Sequence, residues 1–147
     1  MDKVSASRYH DISCGHRVYG HESKCANLHG HNYRVHFTVE TDSGEANDLD
    51  NVGRVLDFSV IKSHLCMWLE DYWDHRFLVW KDDPLHSFLM DLDKTIVVVP
   101  FNPTAENMAI YLLEQVGPVM LLGTRAKLVS VKIEETRKCS VECKTVI

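Results

Sequence analysis

The sequence predicts an α+β fold with the element order β-β-α-α-β-β. Two observations carry this. Apolar and polar residues alternate over Tyr33, Val35, Phe37 and Val39, and again over Val129, Val131 and Ile133, the period-two pattern of half-buried strands. Between them, Ile61 to Tyr72 and Met108 to Met120 space their apolar residues at three and four, as amphipathic helices do. Strands therefore collect at the two ends of the chain and helices in its middle, which is not the alternation of a parallel α/β fold.

In chain order, Lys3 to Val18 has no helical period and reads as a strand running into a loop at Tyr19 to Ser23. Leu28 to Thr41 is the second strand, and acidic, turn-rich Asp42 to Asn51 is a loop. Asp57 or Ser59 caps a first helix that buries Ile61, Leu65, Trp68, Leu69 and Tyr72 and ends near Trp73. A mixed segment comes next, Asp74 to Asp93, then a short strand, Thr95 to Val99. Asn102-Pro103-Thr104 starts the second helix, whose stripe is Met108, Leu112, Leu113, Val116 and Met120; Gly117-Pro118 should stop or kink it. Leu128 to Glu135 and Ser140 to Val146 are the last strands. No repeat and no linker interrupts the pattern, so residues 1–147 are expected to form a single domain.

Composition excludes several classes of function. A 147-residue chain with 45% hydrophobic content can bury a core without a metal to hold it together. The longest apolar runs, such as Ile96 to Val99, are too short to span a bilayer, and Met1 to His10 lacks the apolar stretch of a secretory signal. Net charge is -5 with no basic cluster, which argues against general nucleic-acid or acidic-membrane binding. Five cysteines, an odd count without an export signal, point to free thiols in the cytoplasm.

Nine histidines are many for this length, and four of them crowd between positions 16 and 31. His29-Gly30-His31 heads a strand, so its two imidazoles point to one side, and Gly30 leaves room for a ligand to approach the backbone. Such a pair is two-thirds of a zinc site. His16 on the preceding strand is the nearest third ligand, with His10 and Cys14 sharing its parity as competitors. Three neutral imidazoles leave the ion its full charge and an open fourth position, as in catalytic zinc sites. His36 has the opposite parity and should face away; His21, His64 and His86 have no partner pattern. Cys25 just precedes the pair: a zinc ligand, a thiolate base or nucleophile, or a small buried hydrophobe. Asp74-His75 could form a proton-transfer pair, although adjacent residues on an extended segment diverge. Glu135 continues the apolar face of Val129, Val131 and Ile133, where a carboxylate needs a partner such as two N–H donors of a ligand; if the strand ends at Ile133, it is instead a solvated turn residue.

Six ordered motifs span nearly the whole chain: Ile12-Ser13-Cys14-Gly15-His16-Arg17, Cys25 to Tyr33, Val55-Leu56-Asp57-Phe58, Asp74-His75, Pro103-Thr104-Ala105-Glu106-Asn107 and Glu135-Thr136. In this order they resemble the 6-pyruvoyl-tetrahydropterin synthase superfamily, most closely its queuosine-pathway branch of 6-carboxy-tetrahydropterin synthases. The resemblance implies a T-fold (tunnelling fold): a four-stranded antiparallel sheet with two helices packed on one face. It implies homo-oligomeric rings, commonly trimers stacked into hexamers, with active sites at subunit interfaces. It implies Zn2+ on His16, His29 and His31, Cys25 as the catalytic cysteine, Asp74 and His75 as the acid/base pair, Glu135 as the carboxylate that anchors the pterin, and Thr104 in the segment lining the pterin pocket. The three residues between Cys25 and His29 resemble the carboxy branch. The implied substrate is 7,8-dihydroneopterin triphosphate, with Lys24, Arg17 and Lys127 as triphosphate candidates from charge alone. Two positions depart from the pattern: Cys14-Gly15 replaces small alanine-like residues, and Val79 stands where asparagine is common. Within the same resemblance, a 6-pyruvoyl synthase, a dihydroneopterin aldolase-like relative and a non-catalytic pterin- or zinc-binding oligomer are the competing functions.

Overall fold

The computed structural model describes residues 2–146. In chain order the elements are β1 (Ala6–His16), β2 (His29–Thr41), helix α1 over residues 58–72, β3 (Phe77–Trp80), α2 (His86–Leu92), β4 (Val97–Val99), helix α3 over residues 105–120, β5 (Ala126–Glu134) and β6 (Ser140–Lys144). The strands form one sheet in the order β4-β3-β1-β2-β5-β6. β1, β2, β5 and β6 pair antiparallel, whereas β3 joins β1, and β4 joins β3, in parallel.

The expected four-stranded antiparallel sheet is therefore the core of a six-stranded mixed one. The mixed segment between the two long helices holds β3 and a third, short helix, α2. Phe77-Leu78-Val79-Trp80 has no polar alternation because Leu78 and Val79 are both buried, so it carries no period to read. Its contact with β1 is only two residues long, Gly15 with Phe77 and His16 with Leu78.

The even-numbered residues of β1 and the odd-numbered residues of β2 face the core: Ile12, Cys14 and His16, and Tyr33, Val35, Phe37 and Val39. They pack under Ile61, Leu65 and Leu69 of α1 and Met108, Leu112 and Val116 of α3. The opposite face carries Ser7, Tyr9, Asp11 and Ser13 of β1 and Asn32, Arg34, His36 and Thr38 of β2.

Both long helices contain a π turn, Lys62–Cys66 in α1 and Leu112–Val116 in α3. The extra residue in such a turn shifts the phase of the rest of the helix. After Leu69 the buried face of α1 passes to Trp73, so Tyr72, expected inside, is exposed. In α3 the π turn carries the helix through Gly117-Pro118, in place of the expected stop or kink. Pro118 has no N–H to give, and the Gly117 N–H bonds to the carbonyl of Leu112 instead. Asp57 caps α1 by accepting from the Ser59 N–H, and Thr104 caps α3 by accepting from the Asn107 N–H.

In β5 the expected face of Val129, Val131 and Ile133 is corrected. The β2–β5 register breaks between Thr38 and Val39, which pair with Ser130 and Leu128 and leave Val129 as the bulged residue. Ala126 and Leu128 face the core before the bulge, Val131 and Ile133 after it.

Candidate functional site

Strand register builds the centre of the site. His16 lies directly across from His29, and Cys14 across from His31. All three histidines extend the core face beyond Tyr33, and their ligating nitrogens lie within 4.8 Å of one another. Parity leaves His10 and Cys14 open as the third ligand, and the structure closes both. His10 bonds Glu70 at 2.6 Å, and among the described residues the group whose ligating atoms converge is His16, His29 and His31, without Cys14. His36 faces the other side of the sheet and pairs with Glu134.

The hydrogen bonds fix the tautomers. His16 Nδ1 contacts the Pro103 carbonyl at 2.6 Å and His29 Nδ1 the Asn27 carbonyl at 2.7 Å. A carbonyl only accepts, so each Nδ1 carries the proton and each neutral ring presents a lone pair at Nε2. Those two Nε2 atoms face each other at 3.0 Å. Two lone pairs at that distance repel unless a cation lies against both. His31 Nε2 is buried without a hydrogen-bond partner, 3.5 Å from Glu135 Oε1. Burial, opposed by the Pro103 carbonyl and reinforced by the neighbouring imidazoles, lowers His16 to about 4, and burial also lowers His31. The donor set is thus three converging imidazoles with two Nδ1–H groups anchored on backbone carbonyls, the arrangement that orients metal-binding imidazoles. It fits a divalent metal.

The hydroxyl of Tyr33 sits 3.2 Å from both nitrogens of His16. Burial raises its phenol well above the ordinary range, and the Glu135 carboxylate adds to the rise. The carbonyl of Cys25 accepts from the Val18 N–H at 2.9 Å, two residues after His16. Cys25 is half-buried in the one-turn 3-10 helix Lys24–Ala26.

Asp74 and His75 are brought together despite being adjacent. His75 adopts a left-handed φ of 59°, uncommon for a residue with a side chain, and its Nδ1 lies 2.8 Å from Asp74 Oδ2. Ser13 pins both residues: its N–H donates to Asp74 Oδ1 at 2.8 Å, and its carbonyl accepts from the His75 N–H at 2.6 Å. Burial raises the Asp74 carboxyl, but the Ser13 N–H and the His75 ring outweigh it, so the net shift is downward. The pair borders a cleft of about 800 Å³ lined also by Asp11, Ser13, Arg34 and Glu135. By parity, Ser13 and Arg34 belong to the sheet face opposite the three histidines. Glu135 lies just beyond β5, yet its carboxylate borders both the cleft and His31.

Other expectations are met differently. A Cβ on Gly30 would come within 3.2 Å of the Cys14 carbonyl, and one on Gly15 within 2.6 Å of Phe77, so this glycine pair makes room for neighbouring chain rather than only for a ligand. Thr104 does not line the cleft within one chain, and its hydroxyl is used as the helix cap. Lys127 pairs with Glu40, 11 residues along β2 from His29, which at strand rise is about 36 Å away. Arg17 is committed to Asp83 and the Ala26 carbonyl. Nothing in the sequence signals the anchoring carbonyls of Asn27 and Pro103, although each stands inside one of the six motifs: a backbone carbonyl is common to every residue type.

A family model described as 6-pyruvoyl tetrahydropterin synthase matches residues 5–145. The chain belongs to this family. Among curated members, the 6-carboxy-5,6,7,8-tetrahydropterin synthase of Rickettsia typhi is 33% identical over 141 residues, 95% of this chain and 99% of the relative. A protein of the same name from Aquifex aeolicus is 34% identical over 134 residues, 83% of this chain and 76% of the relative. Among solved structures, Caenorhabditis elegans 6-pyruvoyl tetrahydropterin synthase superposes with a TM-score of 0.65 at 27% identity, covering 99% of this chain and 98% of that one. An uncharacterised protein from Wolinella succinogenes shares the fold with a TM-score of 0.82 at 24% identity, covering 97% and 98%.

Proposed function

We propose that this member of the pterin synthase family is a zinc-dependent 6-carboxy-tetrahydropterin synthase. It would convert 7,8-dihydroneopterin triphosphate, with uptake of one water, into 6-carboxy-5,6,7,8-tetrahydropterin, acetaldehyde and triphosphate, in queuosine or 7-deazaguanine biosynthesis. The observation that carries this reading is the convergence of three imidazole nitrogens within 4.8 Å, in a chain whose curated relatives bear that enzyme's name.

In this reading His16, His29 and His31 hold the metal, which, when bound, acidifies the side-chain hydroxyls of the substrate and stabilises oxyanion character at them. Glu135 anchors the 2-amino and ring N–H groups of the pterin by paired hydrogen bonds, setting the reacting side chain beside the histidines. Cys25 and His75 move protons between carbon and oxygen, and Asp74 holds the His75 ring and stabilises its protonated form. Its downward-shifted carboxyl suits that role, since it stays ionised through the neutral range.

The acting unit is a homo-oligomer, trimer-based and hexameric, with sites at subunit interfaces. What supports this is the His75 side chain, 81% exposed on the turn between α1 and β3, with Asp74 held beside it. A neighbouring copy that presents this pair to the histidine cluster would complete the site. Thr104 would join the pterin pocket in the same assembly. A cytoplasmic setting accords with the five free cysteines and with the absence, among the described residues, of any helix long and apolar enough to cross a membrane.

The test is product analysis on 7,8-dihydroneopterin triphosphate with metal analysis of the same sample. Acetaldehyde and a carboxylated pterin in equal amounts, with zinc bound, are expected. Triphosphate release without acetaldehyde would replace this reading with a 6-pyruvoyl synthase, release of 6-hydroxymethyl-dihydropterin with an aldolase-like enzyme, and absence of turnover with a pterin-binding oligomer.

A further inference from the structure

Four consecutive residues lead out of β1, and each is tied either to the Lys24–Ala26 turn or to the Asn102–Pro103 segment. His16 bonds the Pro103 carbonyl at 2.6 Å. The Val18 N–H donates to the carbonyl of Cys25 at 2.9 Å. Tyr19 exchanges two bonds with the Asn102 side chain. Arg17 makes the least expected connection. Its Nε donates to Asp83 Oδ2 at 2.7 Å and its Nη1 to the carbonyl of Ala26 at 3.1 Å. The carbonyls of Cys25 and Ala26 are thus held by two adjacent residues that come directly after a metal-site histidine.

Asp83 explains how the arginine is kept in place. Its side chain is fully buried, and its second oxygen accepts from the Leu85 N–H at 2.9 Å, which fixes the carboxylate in the loop before α2. A buried carboxylate needs a cationic partner, and a guanidinium can serve two acceptors in fixed directions where an ammonium cannot. Asp83 and Arg17 are neither among the three histidines nor among the residues lining the large cleft.

We propose that Arg17, held by the buried Asp83, is a positioning residue for Cys25: the pair fixes the Lys24–Ala26 turn relative to the three histidines. This rests on Cys25 acting in proton transfer. It also removes Arg17 from the set of residues available to the triphosphate. Geometry at a proton-transfer residue is demanding, and a displacement of about 1 Å costs on the order of 100-fold in rate.

Two variants test it. Asp83→Asn removes the charge that orients Arg17 but keeps an acceptor for Leu85. Arg17→Lys keeps a cation for Asp83 but cannot also reach the Ala26 carbonyl. In each, the alkylation rate of Cys25 by iodoacetamide is followed by peptide mass spectrometry, with exposed Cys139 as internal reference and buried Cys14 and Cys66 as reporters of an intact core. Freed turns open more often, so Cys25 should alkylate about tenfold faster in both variants while Cys14 and Cys66 stay protected and zinc content is unchanged. On the triphosphate substrate kcat should fall about 10- to 100-fold with KM little altered. The double variant should be no worse than the poorer single one, because both release the same clamp.

Wild-type Cys25 alkylation in both variants overturns the proposal whatever the activity. A raised KM with kcat intact would instead make Arg17 a phosphate contact. Should Asp83→Asn not fold, Arg17→Lys decides alone, and failure of both to fold overturns the specific role by making the pair a support of the whole fold. If the wild type has no turnover on this substrate, the functional reading falls while the alkylation comparison still stands or fails by itself.

Discussion

The proposed sharing of an active site between copies of the chain leads to a quantitative expectation. Cys25→Ala and His75→Ala should each be close to inactive. The histidine cluster extends the core face beyond Tyr33, whereas Asp74–His75 hangs on the backbone of Ser13 with the His75 ring exposed to a neighbouring copy. If a site takes Cys25 from one copy and His75 from the next, random co-assembly of the two variants at 1:1 supplies an intact cysteine at half the sites and an intact histidine at half. Those chances are independent, so about one quarter of sites recover both, and activity should return to about 25% of wild type. The converse mixture separates the models further. Wild type mixed 1:1 with the Cys25→Ala/His75→Ala double variant should retain about one quarter if the site is shared, and about one half if each chain holds its own. The assay is acetaldehyde release after joint refolding of differently tagged chains, with mixed oligomers purified through both tags. Recovery no greater than the sum of the two single variants, together with one half in the converse mixture, would refute the shared site.

The remaining expectations are simpler. Metal removal by a chelator should lower the melting temperature, and zinc at 100 times its dissociation constant should restore about 2.7 kcal/mol, a rise of about 5–10 °C for a chain of this size; His31→Ala should abolish that response and bring metal content toward zero. The lowered Asp74 carboxyl contributes stability that is present above its ordinary value of 3.8 and is lost as pH falls through its lower folded-state value. Asp74→Asn should therefore flatten the acid limb below pH 4 in urea-midpoint measurements, and an unchanged limb would contradict the assignment. Gly117→Ala should gain about 1 kcal/mol from helix propensity but places a Cβ 2.6 Å from Leu128 Cδ2 and 3.0 Å from Leu128 Cβ. Overpacking costs about 1–3 kcal/mol, so denaturant unfolding should report a net loss.

Much of the site is legible in the sequence because strand parity is a strict period. His29 and His31 have to share a face and His36 has to leave it. Parity alone does not choose among His10, Cys14 and His16, since that needs the register between β1 and β2. The register sets His16 opposite His29, while Glu70 occupies His10 and Cys14 stands outside the group whose ligating atoms converge. The mutual approach of Asp74 and His75 is invisible for another reason. It depends on a left-handed φ at His75 and two bonds to Ser13, 61 residues earlier in sequence for Asp74. The π turns leave only a faint trace, Pro118 after Gly117, and the phase error at Tyr72 is their cost to a 3.6-residue count.

The bulge at Val129 links the fold to the site. Side chains on a regular strand alternate without exception, so Leu128 and Glu135, seven residues apart, would face opposite sides of an unbroken β5. Both are needed on the same side. Leu128 packs against Gly117 of α3, and Glu135 brings its carboxylate to 3.5 Å from His31. One extra residue between them reverses the phase once. It does so opposite Thr38 and Val39, leaving the β2–β5 pairing from Arg34 to Thr38 regular up to the end nearest the histidines. A change that straightened β5 would thus force a choice between the helix packing and the carboxylate. Either half of the strand would turn its side chains outward, and only the half near Glu135 would take the site with it.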